Sequence, residues 1–289
     1  MVKEISARVL LSPVRQPDTW FGLRYSMNLY RGCQHQCIYC DSRSTCYRIE
    51  DFTNDVLVKV NAIDLLRAEL PRKRVKGTIG TGSMDDPYMH LEAAWNLTGQ
   101  ALRVIADHHF PIHIITKSTL VLRDLDLIEQ ISRVYAAVSF TVTTADDDLG
   151  KKIEPGASLV SKRFQAIEKL AANGILTGVT MMPILPFIED FEENIRAIVT
   201  QAHERGAKYI LPAFGMTMRE GQREYFYAQL DRLFPGIRAK YERRFGEQYE
   251  CAANNAKHLA RIFSELCDRL GIATHMPHYT PQTTQPTLF

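Results

Sequence analysis

Cysteine is scarce, 6 among 289 residues, and no fourth cysteine lies beside the run Cys33-Gln34-His35-Gln36-Cys37-Ile38-Tyr39-Cys40. This disfavours a closed structural zinc site, which takes four ligands and often pairs two C-x2-C elements, although zinc bound through His35 stays open as an alternative. Cys46, Cys251 and Cys267 are scattered, so a second cluster lacks a compact ligand set and a disulfide framework is not expected. Long apolar runs are missing as well. None approaches the roughly 18 residues of a membrane span, and Met1-Val2-Lys3-Glu4-Ile5-Ser6 contains no apolar signal core. A cytoplasmic protein without a membrane partner is expected. Charge of one sign is also lacking: a net charge of +2 neither requires nor excludes a polyanionic ligand.

What is present points to chemistry at the three clustered cysteines. Thiolates are soft donors for iron and zinc, and a [4Fe–4S] cluster held by three protein sulfurs leaves one iron open to a small molecule. Around this run, short stretches rich in Val, Ile and Thr alternate with amphipathic ones, the pattern of βα units with a parallel sheet. Strands are expected at Ser26–Tyr30, Gly77–Gly80, Ile112–Thr116, Ala136–Val142, Thr177–Met182 and Tyr209–Pro212. Helices are expected at Ala62–Leu70, Glu92–Asp107, Leu125–Ser132, Leu159–Asn173, Phe191–Arg205 and Gln222–Phe234, with Gly174 ending one and Asp190 capping the next. The fold class is therefore α/β, a partial barrel of six βα units, in which ligands gather at the C-terminal strand ends. The divisions are an N-terminal extension (1–25), the barrel (26–216), a helical C-terminal extension (217–271) and a flexible tail (272–289).

The C-x3-C-x2-C spacing with an aromatic before the last cysteine resembles the cluster loop of the radical S-adenosylmethionine (SAM) superfamily. Further segments, Thr116-Lys117-Ser118, Val138 to Thr144, Ile153-Glu154-Pro155-Gly156 and Pro183-Ile184-Leu185-Pro186, resemble its spore photoproduct lyase-like branch. The resemblance implies a [4Fe–4S] cluster on Cys33, Cys37 and Cys40, with SAM chelating the open iron and yielding a 5′-deoxyadenosyl radical after one electron from an external donor. It places Lys117 and Arg163 at the SAM carboxylate, Ser139 and Thr141 near its ribose or methionine, and Tyr39 over the adenine. The loop Gly80 to Tyr88 reads either as a turn with a helix cap or as a SAM contact, in which Ser83 allows close approach and Asp85 engages the ammonium. Gly178 reads either as packing or as room for adenosine. Met181, Met182 and Tyr88 read as core or as the substrate end. In the photoproduct-repair enzyme the resemblance places a hydrogen-donating cysteine in the strand-two loop, yet Gly80 to Tyr88 contains none. Tyr88 is the substitute candidate for hydrogen transfer, or the reaction differs.

From Met218 to Arg244, Arg219, Arg223, Arg232, Arg238, Lys240, Arg243 and Arg244 alternate with Tyr225, Phe226, Tyr227, Phe234 and Tyr241, and Phe245 follows. This reads either as a surface for DNA phosphates and bases or as amphipathic helices with aromatics inside. The terminal Gln285-Pro286-Thr287-Leu288-Phe289 resembles the peptide by which bacterial replication and repair proteins dock on the sliding clamp, with Gln285, Leu288 and Phe289 as contacts. The expected function is radical SAM chemistry, with DNA-lesion repair first among substrates. The alternatives are radical modification of RNA, a peptide or a metabolite, and a non-catalytic iron–sulfur or zinc scaffold.

Overall fold

The computed structural model describes residues 2–15, 19–49, 51–52 and 55–281. In chain order, the strands are β1 Val2–Ile5, β2 Leu11–Pro13, β3 Tyr25–Met27, β4 Tyr30–Arg31, β5 Val56–Lys59, β6 Ile79–Thr81, β7 Ile112–Thr116, β8 Ala136–Thr141, β9 Leu176–Met181, β10 Tyr209–Pro212, β11 Gly215–Thr217 and β12 Glu250–Ala252. The helices are α1 Ala62–Glu69, α2 Glu92–Trp95, α3 Leu97–Asp107, α4 Leu125–Ser132, α5 Asp147–Ile153, α6 Val160–Ala172, α7 Glu192–Glu204, α8 Gln222–Leu233, α9 Ile237–Phe245 and α10 Ala256–Leu270.

A seven-stranded sheet runs in the order β10-β9-β8-β7-β6-β3-β2. Its strands β3, β6, β7, β8, β9 and β10 are parallel and follow one another in sequence order. This is the expected partial barrel of six βα units. Helices cover its outer face, so a central strand such as β8 is buried along its whole length and reads as a nearly continuous apolar and hydroxyl run. The helices contribute one apolar face each. In α10, Leu259, Ile262, Phe263, Leu266 and Cys267 recur at helical spacing and face inward.

Several boundaries differ from expectation for local reasons. The helix expected over 92–107 breaks at Asn96, whose φ is +51°, and the buried Glu92 carboxylate accepts Thr98 N–H at 3.0 Å at the start of α3. Gly174 does follow α6 with φ +73°, but Asp190 does not cap α7: its carboxylate accepts the amides of Phe187 and Asn254. Residues 1–25 are not a separate extension, because β2 pairs antiparallel with β3 as an edge strand and β1 joins a three-stranded sheet with β5 and β4. Nor is the tail loose at its start. Ala273 bridges to Tyr209, Met276 is buried, and Tyr135 Oη donates to Pro277 O at 2.6 Å. The clamp-like residues Gln285, Leu288 and Phe289 lie outside the described residues.

The C-terminal aromatics also resolve inward. Phe226, Tyr227, Tyr241 and Phe245 are buried with Ile38, Tyr39, Leu185 and Met216 in a second apolar core directly beneath the cysteine loop. Arg223 is buried and bound to the carbonyls of Gly246 at 2.6 Å and Gln248 at 2.7 Å, so only the outer cations, such as Lys240 and Arg243, face solvent. The amphipathic reading holds for this segment. No helix among the described residues is long and apolar enough to cross a membrane.

Candidate functional site

The cysteine loop leaves the barrel after β3, passes through β4 and returns over the C-terminal ends of the strands. Cys33, Cys37 and Cys40 are free thiols, the first two buried. All three line one cavity of about 110 Å³ with Ser83, Asp85, Lys117 and Thr141. Gly82, at φ +94°, lets the β6 loop press against the end of β7, where a Cβ would stand 2.1 Å from Ile115 O. That approach brings Ser83 and Asp85 to the thiols.

The two neighbouring acids of this loop have opposite environments. Burial raises a carboxyl pKa, but at Asp86 the adjacent His35, 3.2 Å away, and hydrogen bonds from Lys117 N–H and Thr116 Oγ1, both at 2.7 Å, hold it down to about 2. Asp86 is thereby spent on structure. At Asp85 burial wins: its pKa is pushed up to about 8 against the weaker opposing pull of Lys59 and a backbone hydrogen bond from Tyr30, and its Oδ1 has no hydrogen-bond partner among the described residues. An unpaired buried acceptor facing a cavity fits a cationic ligand group.

Burial also raises the thiols, Cys33 well above the ordinary value and Cys37 to about 12, against the opposing pull of Lys117 on Cys37. Cys33 and Cys37 therefore keep their protons until a cation replaces them, as metal binding coupled to deprotonation requires. Among the described residues, no three His, Cys, Asp or Glu side chains close around a point as a single ion needs. A cubane places each thiolate on its own iron, so its ligands stand farther apart than those of one tetrahedral zinc. The donor set, three free thiols on one cavity wall, fits such a cluster.

A second cavity of about 580 Å³ adjoins the first, and Cys40, Ser42 and Ser83 line both. Its other walls include Tyr39, Tyr47, Met182, Phe214 and Cys251. The antiparallel pair β11 and β12, separated in sequence by α8 and α9, closes one side and carries the buried Cys251. Only the fold places it here, because its spacing from the other cysteines carries no signal.

The remaining candidates separate clearly. Lys117 and Thr141 line the smaller cavity. Tyr39 lines the larger one, while its hydroxyl donates to the buried Glu154. Arg163 lines neither; it is fully enclosed, paired with Glu154 at 2.5 Å and donating to Thr141 O at 2.9 Å. Ser139 lies one inward position below Thr141 and is hydrogen-bonded to His113 at 2.8 Å and Tyr209 at 2.7 Å. Gly178 makes room for that same Tyr209 ring, which a Cβ would meet at 2.3 Å. Tyr88 is completely buried, donates its hydroxyl to Asp124 at 3.1 Å and reaches neither cavity. Met181 is buried in the main core, whereas Met182 reaches the larger cavity.

The family model described as the Radical SAM superfamily matches residues 27–198 of this chain. The chain belongs to the radical SAM superfamily. It is 32% identical over 225 residues to an uncharacterized protein of Mycobacterium tuberculosis, a match covering 75% of this chain and 66% of that protein. An uncharacterized protein of Methanocaldococcus jannaschii is 35% identical over 191 residues, 65% of this chain and 70% of the relative. Among solved structures, spore photoproduct lyase in complex with a dinucleoside spore photoproduct superposes with a TM-score of 0.70 at 15% identity, covering 94% of this chain and 81% of that one. The last likeness is one of fold. Membership in the family implies SAM and an iron–sulfur cluster as cofactors, and the cysteine cavity lies within the matched residues and the adjoining strand ends.

Proposed function

We propose that this chain binds a [4Fe–4S] cluster through Cys33, Cys37 and Cys40 and cleaves SAM reductively to start radical chemistry on a substrate held in the larger cavity. The observation that carries the reading is one wall: three free thiols, Asp85 with an Oδ1 that has no partner among the described residues, and Lys117 line a single cavity that shares Cys40, Ser42 and Ser83 with a larger one. When bound and reduced by an external donor, the cluster supplies the electron that releases methionine and a 5′-deoxyadenosyl radical from SAM. The protein's own part is orientation and charge. Asp85 accepts the ammonium of SAM, Lys117 faces its carboxylate, and the hydroxyls of Ser83 and Thr141 supply hydrogen bonds nearby. Tyr39 lines the larger cavity beside Cys40. Arg163, Ser139, Gly178 and Tyr88 take supporting places around this set.

A volume of about 580 Å³ suits a single nucleoside-sized or similar group. A lesion in DNA, presented as an extruded base, is the leading substrate class, supported by the likeness of fold to the lyase and by exposed cations at Arg72, Arg74 and Arg243. Docking on a sliding clamp through Gln285, Leu288 and Phe289 belongs to the same reading, as does a cytoplasmic setting. The buried aromatics of α8 and α9 and the missing cysteine in the β6 loop favour a second reading, radical modification of RNA, a peptide or a metabolite.

The test is anaerobic reconstitution with iron and sulfide, reduction in the presence of SAM, and quantification of 5′-deoxyadenosine for the wild type and Cys37→Ala, with and without ultraviolet-irradiated DNA. Cysteine-dependent 5′-deoxyadenosine supports the chemistry, and lesion conversion supports repair. A reduced, cluster-loaded wild type that leaves SAM intact overturns the proposal in favour of a scaffold.

A further inference from the structure

The turn Ile153-Glu154-Pro155-Gly156 holds the cysteine loop at successive points. Ile38 N–H donates to Ile153 O at 2.9 Å, Gly156 N–H donates to His35 O at 2.9 Å, and Tyr39 Oη donates to Glu154 Oε1. The approach at Gly156 is so close that a Cβ there would stand 2.2 Å from Gln34 O. Residues 34, 35, 38 and 39, which alternate with the cysteines, are thus each met by this one turn.

Glu154 itself is 2% exposed. Its Oε2 lies 2.5 Å from Arg163 Nη1, and Lys117 Nζ stands 3.9 Å from Oε1. Arg163 is anchored in turn: Nη1 donates to Thr141 O at the end of β8 and Nε donates to Ser158 O, both at 2.9 Å. A hydrogen bond from Arg163 to the sheet, the Arg163–Glu154 ion pair and the bond from Tyr39 to Glu154 therefore link the sheet to Tyr39, which sits between Cys37 and Cys40 in sequence. Within this trio, Glu154 offsets one of two cations, the enclosed Arg163 and the partly exposed Lys117. A neutral residue at 154 would raise the net charge beside the loop by one unit.

We infer that Glu154 is a positioning residue, which tethers the cysteine loop to the barrel before any metal binds and sets the net charge felt at the thiols. The tether stands on the contacts alone; the charge effect rests on the radical SAM reading proposed above. Because the reduction potential of an iron–sulfur centre follows local net charge and hydrogen bonding, the two roles separate experimentally. Tyr39→Phe removes the side-chain link to Glu154, leaving the two backbone bonds of the turn, and keeps the charge. Glu154→Gln keeps an acceptor for Tyr39 and removes the charge.

The first measurement is hydrogen exchange of the full-length apoprotein, followed by an EPR-monitored redox titration of the reconstituted protein. Tyr39→Phe and Gly156→Ala are expected to speed exchange of the segment 34–40 by about five- to tenfold, the loss of one hydrogen bond, while α3 and α10 exchange as in the wild type. Glu154→Gln is expected to shift the midpoint potential to more positive values, with Tyr39→Phe close to the wild type. If Glu154→Gln does not fold with Arg163 unpaired, Lys117→Met, which removes a cation from the same group, is expected to shift the potential in the negative direction. Wild-type exchange over 34–40 in both tether variants overturns the inference, as does an unmoved potential in a folded charge variant. A wild type whose loop behaves as expected but which never cleaves SAM leaves the tether standing and overturns the radical reading alone.

Discussion

Two layers of the same barrel interior, one inward position apart on β8, have opposite character. In the lower layer Ser139 is enclosed by His113 and Tyr209, with Phe21 packed 4.9 Å from the His113 ring. In the upper layer Thr141 lines a cavity with three thiols, Lys117 and an Asp85 oxygen that has no partner among the described residues. The lower hydroxyl is consumed by its neighbours, and burial depresses the His113 pKa to about 3, so that its imidazole stays neutral. The upper groups border open space, with Thr141 Oγ1 bonded to Thr180 and Lys117 beside Glu154 but Asp85 Oδ1 without a partner among the described residues. A polar residue in a barrel strand thus becomes a site or a piece of core according to whether the next layer closes over it.

The sharpest way to break the comparison is at the thiols. Replacing Cys33, Cys37 or Cys40 with Ala is expected to abolish stable iron incorporation and 5′-deoxyadenosine formation, checked by iron analysis and product quantification. Asp85→Asn comes next: loss of a buried charge-assisted bond is expected to weaken SAM binding by roughly ten- to a hundredfold, read by calorimetry on the loaded protein. The same variant has a stability signature. Asp85 titrates near 8 in the folded protein and near the ordinary 3.8 when unfolded, so its contribution is fully present below pH 3.8 and is lost as pH rises toward 8. Apo Asp85→Asn is therefore expected to gain stability over the wild type between pH 4 and 8, by on the order of 1 kcal/mol per pH unit at most, in denaturant titrations at several pH values.

Smaller effects sharpen the contrast between the layers. Ser139→Ala leaves two buried polar partners short of a bond and is expected to lower stability by about 1–3 kcal/mol while leaving the SAM dissociation constant unchanged. Thr141→Val is expected to do the reverse, weakening SAM binding several-fold, although its bond to Thr180 at 2.9 Å adds a modest stability cost. If Ser139→Ala impaired SAM binding as strongly as Thr141→Val, the division into a closed and an open layer would fail.

Much of the barrel is legible in the chain because its strands are short apolar runs and its helices strongly periodic. The strands Ile112–Thr116 and Tyr209–Pro212 and the helix Leu125–Ser132 have the expected limits. Short elements that depend on distant partners were not legible: β2 pairs with β3 and β11 with β12, and three-residue strands carry no period of their own. The aromatics of α8 and α9 illustrate the same limit. Periodicity alone allowed them an inner or an outer face, and the apolar underside of the cysteine loop decided for the inner one.

The chain by itself determined the three-thiol loop, the order of the βα units and the rule that ligands meet at the C-terminal strand ends, since each follows from local spacing and hydrophobic period. Only the tertiary structure decided which polar residues remain unsatisfied. Asp85 and Asp86 are adjacent, chemically identical and border the same cavity, yet His35, Thr116 and Lys117 converge on Asp86 while Asp85 Oδ1 has no partner among the described residues. Satisfaction of a buried charge depends on groups brought from several strands at once, and that information exists only in three dimensions.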